Sequence, residues 1–197
     1  MRIKVGLLVA TFALLSLPGM AQEGHSEVSA NFTGNFQNQS SGFGVTDSPT
    51  YSGGLLLNYR YHFNRWSAVE VNYGYNRFTQ VYSSGSFTQA NTNEVTLAYV
   101  FTFGIPTEAR FHPFAEAGTG ALFFAPIPAG SSSGGTTQNR ATLLYGAGIT
   151  YRLVHNLNLQ AGYRGLVYTA PDFIVPSQLT NARTEMAEPY VGVTLRF

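Results

Sequence analysis

The strongest constraint on the fold is an alternation at the end of the chain. Residues 187–197 read A-E-P-Y-V-G-V-T-L-R-F, with Ala187, Pro189, Val191, Val193, Leu195 and Phe197 apolar at every second position. Between them lie Glu188, Tyr190, Gly192, Thr194 and Arg196. A side-chain period of two belongs to a β-strand with one oily and one polar face. A strand of this kind ending on an aromatic residue suits lipid better than water.

The same alternation recurs seven more times. It predicts strands at about 27–37, 51–63, 66–77, 93–103, 112–124, 140–152 and 157–168, with 187–197 as the eighth. The oily faces include Val28, Ala30 and Phe32; Leu55, Leu57 and Tyr59; Val95, Leu97 and Tyr99; and Leu143, Tyr145 and Ile149. Short connections at 64–65, 104–111 and 153–156 alternate with longer segments at 38–50, 80–92, 125–139 and 169–183. The longer ones are rich in Ser, Gly, Thr, Asn and Pro, as loops are, and 131–135 reads S-S-S-G-G. Strict alternation of short turns and long loops implies an even up-and-down meander with both ends on the short-turn side. The expected fold is all-β: a membrane-spanning, eight-stranded, antiparallel up-and-down β-barrel.

A soluble eight-stranded barrel with an internal pocket is the competing fold. Packing separates the two. Roughly forty side chains, many of them Tyr, Phe, Leu and Val, lie on the oily faces, and an eight-stranded interior cannot hold that many bulky ones. The opposite faces carry Gly54, Gly74, Gly118, Gly120, Gly146, Gly148, Gly162 and Gly192, which suit a crowded interior. The same parity turns Arg60, His62, Glu70, Glu94, Glu116, Arg140, Arg152, Arg164, Glu188 and Arg196 inward, as an expected polar network in the lumen. Charge on a lipid face costs about 2–4 kcal/mol near the midplane, which favours that placement. Inside, four carboxylates face five guanidiniums, and they are tolerable only if paired. Tyr61, Trp66, Tyr75, Tyr151 and Tyr163 are the expected interfacial aromatics.

The N-terminus has the form of an export signal. Arg2 and Lys4 precede an apolar run from 5 to 17, then Pro18 and the small residues around Ala21. Residues 1–21 are the expected signal peptide and 22–197 the barrel domain. The run is too short to cross a membrane as a helix. The chain has no Cys, which excludes disulfides and thiolate metal sites. Removing Arg2 and Lys4 from eleven basic residues leaves nine against ten acidic ones, so the processed chain has no nucleic-acid footprint.

Taken end to end, the processed chain resembles the small eight-stranded outer-membrane barrels related to the OmpA transmembrane domain and OmpX. The terminal alternation with Phe197 carries most of the resemblance. The stretch His112-Pro113-Phe114-Ala115-Glu116-Ala117-Gly118-Thr119-Gly120 is similar to a recurrent fifth-strand feature of that group. The resemblance implies a Gram-negative outer-membrane location, contact with outer-membrane lipid and lipopolysaccharide, and recognition by the barrel assembly machinery through Val193, Leu195 and Phe197. No peptidoglycan-binding domain is expected, so cell-wall tethering by that route is not carried over.

Little in the sequence points to chemistry. His25, His62, His112 and His155 share no ligand spacing, so no metal is expected, and no cofactor motif is present. Some barrels of this size modify lipid A, but the last strand lacks the His that one such family places there. A catalytic set would need loop residues such as Asp172 and Ser177 without supporting spacing. Glu70, Glu94 and Glu116 resemble a paired-carboxylate site less than a buried charge network. The expected role is structural or surface-interacting, with the apolar loop residues 125–128 and 171–176 either meeting a partner or lipopolysaccharide or packing on the barrel rim. A narrow channel and a lipid A-modifying enzyme are the alternatives.

Overall fold

The computed structural model describes residues 25–103, 109–131, 135–175 and 178–197. Among these residues the chain forms ten strands: β1 (Ser26–Gln37), β2 (Ser40–Gly42), β3 (Val45–Pro49), β4 (Ser52–His62), β5 (Ser67–Tyr82), β6 (Phe87–Thr102), β7 (Phe111–Ser131), β8 (Gln138–Arg152), β9 (Leu157–Thr169) and β10 (Arg183–Arg196). Eight of them close a ring in the order β1-β4-β5-β6-β7-β8-β9-β10 and back to β1, every pair antiparallel. The seam runs from Glu27 opposite Arg196 to Gln37 opposite Met186. Its last rung is a reciprocal backbone pair: Ser26 N–H donates to Phe197 O at 3.1 Å, and Phe197 N–H donates to Ser26 O at 2.9 Å. Closure leaves the eight-stranded ring without an unpaired edge, which is what lets strands cross hydrocarbon.

Burial follows the alternation. Phe32, Leu55, Leu57, Val71, Val95, Leu97, Leu143, Val191, Val193 and Leu195 are exposed on the outer face, while Asn31, Asn58, Asn72, Thr96, Gln160 and Thr194 are buried inside. Aromatic pairs band the end that carries the short turns: Tyr61 with Phe63 at 5.6 Å, Phe101 with Phe103 at 5.4 Å, and Phe111 with Tyr151 at 4.8 Å between ring centroids. Tyr61, Trp66 and Tyr151 lie in this band, whereas Tyr75 and Tyr163 sit further along their strands. No described helix is long and apolar enough to cross a membrane.

The opposite, loop end departs from the sequence reading. Segment 80–92 is mostly strand rather than loop. β5 and β6 stay paired from Arg77 opposite Asn91 to Val81 opposite Phe87, and a tight turn with Gly85 at φ 83° joins them. Both faces carry polar residues here, so the hydrophobic alternation fades while the backbone ladder continues. Segment 38–50 contains the β2–β3 hairpin, whose turn holds Phe43 and Gly44 at φ 51° and 77°. β3 then extends the sheet along the upper part of β5, with Asp47 opposite Tyr82. The expected signal peptide, part of the 104–111 turn, residues 132–134 of the Ser/Gly tract, Pro176 and Ser177 lie outside the described residues.

Candidate functional site

The interior is built in layers, and the first lies near the turn end. Arg60 of β4 donates from Nε to Glu70 Oε2 of β5 at 2.7 Å. Their backbones face each other in the ladder, so the pairing follows from register. Glu27 Oε2 lies 3.8 Å from Arg60 Nη1 and 3.3 Å from His62 Nε2, and its other oxygen lies 3.8 Å from Arg196 Nε. The Arg60 guanidinium also sits 4.5 Å above the centre of the Phe114 ring, a cation–π contact.

Amides and hydroxyls bridge the neighbouring strands. Asn31 Nδ2 donates to Asn58 Oδ1 at 2.6 Å, Asn58 Nδ2 to Glu70 and Asn72, and Asn72 Nδ2 to Thr96 Oγ1 at 3.1 Å. Across the seam, Ser29, Thr194 and Gln160 form a second group, with Thr194 Oγ1 donating to Gln160 Oε1 at 2.9 Å.

Arg164 dominates the middle. It is fully buried. Nη2 lies 2.6 and 2.7 Å from the two oxygens of Glu94 and 2.6 Å from Glu188 Oε2. Glycines make room for the carboxylates: a Cβ at Gly74 would lie 2.9 Å from Glu94 Oε2, and one at Gly146 only 2.7 Å from Glu116 Oε1. Glu116 is buried, and neither of its oxygens accepts a hydrogen bond from the described protein atoms.

The ten residues expected to form one lumen network thus divide. Arg60, His62, Glu70, Glu94, Glu116, Arg164 and Glu188 are buried together inside. Arg140, Arg152 and Arg196 lie at the ends of the barrel: Arg140 Nη2 is 3.5 Å from Asp172 Oδ1, Arg152 Nη2 donates to Ala109 O at 3.4 Å, and the Arg196 side chain is 46% exposed. The balance of four carboxylates against five guanidiniums therefore does not hold in the middle. Adding Glu27, five buried carboxylates face two buried guanidiniums. Glu27 was not among the ten expected network residues, although it shares the inward parity of Ser29 and Asn31.

Above the charges the interior turns apolar. Phe78, Leu122, Phe124, Leu144, Leu166, Tyr168, Phe173 and Met186 form one buried cluster. Phe124 centres it, 6.0 Å from Phe78 and 5.6 Å from Tyr168. The lumen is therefore not polar throughout. A sequence signal existed: 121–124, 143–145 and 166–168 are apolar on both parities, as strands buried on one face and lipid-exposed on the other must be.

Phe173 comes from the β9–β10 connection and is 1% exposed. Gln138 of β8 fixes the backbone beneath it, its Oε1 accepting the N–H groups of Asp172 at 3.1 Å and Phe173 at 3.0 Å. Phe173 and Ile174 hold consecutive left-handed conformations, φ 50° and 60°, which are uncommon without glycine and persist only where surroundings enforce them. The β2–β3 hairpin meets the same connection, since a Cβ at Gly42 would fall 1.8 Å from Thr180 O. Within the hairpin Asp47 is fully buried, its carboxylate unbonded among the described residues. Burial pushes that carboxyl up to about 7.

The histidines stay apart in role. His25 Nδ1 lies 3.0 Å from His62 O, His62 faces Glu27, and His155 is exposed in the β8–β9 turn. Among the described residues no group of three or more His, Cys, Asp or Glu side chains is placed to hold a metal ion.

A closed antiparallel ring, oily outside and filled inside, with aromatics banding one end, defines a transmembrane β-barrel protein. Residues 7–197 match the outer membrane protein beta-barrel domain, and the chain belongs to that family. Its fold is similar to OprG of Pseudomonas aeruginosa, with TM-score 0.63 and 16% identity over 89% of this chain and 96% of that one. It is also similar to Neisserial surface protein A, with TM-score 0.60 and 17% identity over 87% and 97%. The attachment invasion locus protein Ail of Yersinia pestis, solved in complex with the heparin analogue sucrose octasulfate, gives TM-score 0.53 and 19% identity over 88% and 100%. No curated protein sequence matches the chain.

Proposed function

We propose that this chain, exported by residues 1–21, is a side-chain-plugged outer-membrane barrel whose role is structural or surface-interacting rather than catalytic. One observation carries the reading: two unlike layers fill the lumen in series. The Arg164–Glu94–Glu188 cluster crosses its middle, and the Phe173 cluster fills it above. An eight-stranded interior is narrow enough for side chains to fill. The loop end faces the exterior, and the β2–β3 hairpin with the β9–β10 connection is the part that meets ligands and lipopolysaccharide. Phe43 and Ile174, both exposed there, are the first contact candidates. Val193, Leu195 and Phe197 serve as the assembly signal.

The test is a planar-bilayer recording of the purified protein beside a lipid A mass analysis of cells expressing it. The plugged reading expects no resolved conductance steps and unaltered lipid A. Clear steps that widen in Glu116→Ala favour the narrow channel instead, and a new lipid A species favours an enzyme.

A further inference from the structure

The β2–β3 hairpin treats its two faces differently. Around its outer face the polar side chains are paired: Ser41 Oγ lies 3.0 Å from Thr46 Oγ1, and Gln39 Nε2 donates to Ser48 Oγ at 3.0 Å. On the inner face Ser40 and Asp47 stand directly opposite each other, both buried. Facing side chains on an antiparallel pair have Cβ atoms about 4.5–5.5 Å apart, close enough for a hydroxyl to reach a carboxylate. Yet Ser40 Oγ and both Asp47 oxygens have no hydrogen-bond partner among the described residues.

A third oxygen joins this face. Gly42 shares the parity of Ser40, and a Cβ there would fall 1.8 Å from Thr180 O, so the β9–β10 connection lies against the inner side of β2. The Thr180 hydroxyl is buried and unbonded as well. No positive charge reaches Asp47: burial is the one cause that raises its carboxyl. The titratable side chains within its electrostatic reach are Tyr82, opposite it on β5, and Tyr168 of β9. Beyond Tyr82, Asp172 already has Arg140 beside it. Buried polar groups are bonded to protein, water or an ion, and an unpaired buried carboxylate is among the costliest to leave alone.

We infer that a hard cation of the calcium class sits between the hairpin and the β9–β10 connection. The Asp47 carboxylate holds it, Ser40 Oγ and Thr180 Oγ1 are neutral ligands, and water fills the remaining positions. These donors are all oxygen, which suits calcium rather than zinc or copper. Calcium also accepts the irregular, partly hydrated coordination that magnesium resists. A single carboxylate puts the affinity in the weak range of extracellular calcium sites, about 0.1–1 mM. The bound ion fastens the hairpin that carries Phe43 to the connection that carries Ile174.

Amide exchange across residues 40–49 tests this, on protein refolded in detergent at pH 8 without lipopolysaccharide. Millimolar CaCl2 should slow exchange there several-fold relative to NaCl of equal ionic strength, with the middle of β6 and β9 unchanged. Asp47→Asn keeps the shape and removes the charge, and should abolish the calcium response. Ser40→Ala should raise the calcium concentration needed for half the effect. Heat-modifiable gel mobility checks that both variants fold. An equal effect of NaCl, or an equal calcium response in folded Asp47→Asn, overturns the assignment. So does wild-type exchange that slows at pH 5 but ignores calcium at pH 8, which would leave Asp47 holding a proton only.

Discussion

Arg164 on β9 reaches across the barrel to Glu94 on β6, a strand three places round the ring, with Nη2 2.6 and 2.7 Å from its two oxygens. The same nitrogen meets Glu188 of the neighbouring β10 at 2.6 Å. Removing this one guanidinium strands two buried carboxylates, a loss of about 3–5 kcal/mol for broken buried pairs. Arg164→Met should therefore lower the urea unfolding midpoint in detergent well beyond experimental error. Adding Glu94→Gln to that variant should recover part of the loss, because one stranded charge is then gone. An unchanged midpoint in the single variant would mean that the cluster holds nothing together.

Phe173 should behave differently, because it stabilises a connection rather than the ring. Its carbonyl accepts the Thr136 N–H at 3.1 Å, and its side chain fills the apolar layer. Truncating a buried Phe costs about 3–5 kcal/mol in a core, less where the site can relax. The Phe173→Ala variant should release the left-handed backbone at Phe173 and Ile174 and speed amide exchange at Thr136. Exchange in the middle of β6 and β9 should stay slow. Equal acceleration across the barrel would show that the plug supports the whole ring.

The contrast between these two residues shows how much of the molecule its sequence revealed. Arg164 was legible: charge on the lipid face is costly near the midplane, so a charged residue on the alternate parity in mid-strand has the lumen to occupy. Phe173 was not legible, because its loop has no period and its position depends on Gln138, far away in the chain. The extensions of β5 and β6 were missed for a related reason. Thr79, Gln80, Gln89 and Asn91 are polar on both faces, and only backbone pairing, which leaves no compositional trace, keeps them in strands. Arg140, Arg152 and Arg196 had the inward parity but lie near strand ends, outside the buried middle of the lumen. Parity gives the face and leaves the depth open.

Asp47 makes the loop end sensitive to pH. Its folded carboxyl is held up to about 7 by burial, against 3.8 ordinarily. The folded state therefore keeps this proton at pH values where the unfolded state has lost it. Its contribution to stability is full below about pH 4, falls as pH rises through the window, and is gone above about pH 7. Urea midpoints measured at pH 4, 5.5 and 8 should decline, and Asp47→Asn should remove this component of the decline. Identical slopes for the two proteins would rule Asp47 out as the cause.

The outer face offers a depth test. Leu97 is exposed near the middle of the membrane-facing strands, whereas Phe103 follows the turn-end terminus of β6. Arg on a lipid face costs about 2–4 kcal/mol at the midplane and about 0–1 kcal/mol near the interface. Leu97→Arg should accordingly lower the folding free energy in phospholipid vesicles far more than Phe103→Arg. Equal costs would mean that the membrane is centred elsewhere on the barrel.

Phe197 has two separable roles. Its backbone completes the seam with two hydrogen bonds to Ser26, while its side chain is the expected assembly signal. Deleting the residue removes both and decides nothing. Phe197→Ala keeps the backbone pair and removes only the ring. If the ring is read by the assembly machinery, this variant should refold in detergent with nearly the wild-type urea midpoint, yet reach the outer membrane of cells several-fold less abundantly. If the ring only packs, the midpoint and the cellular yield should fall together. A normal yield with a lowered midpoint would reduce Phe197 to the last apolar contact on β10.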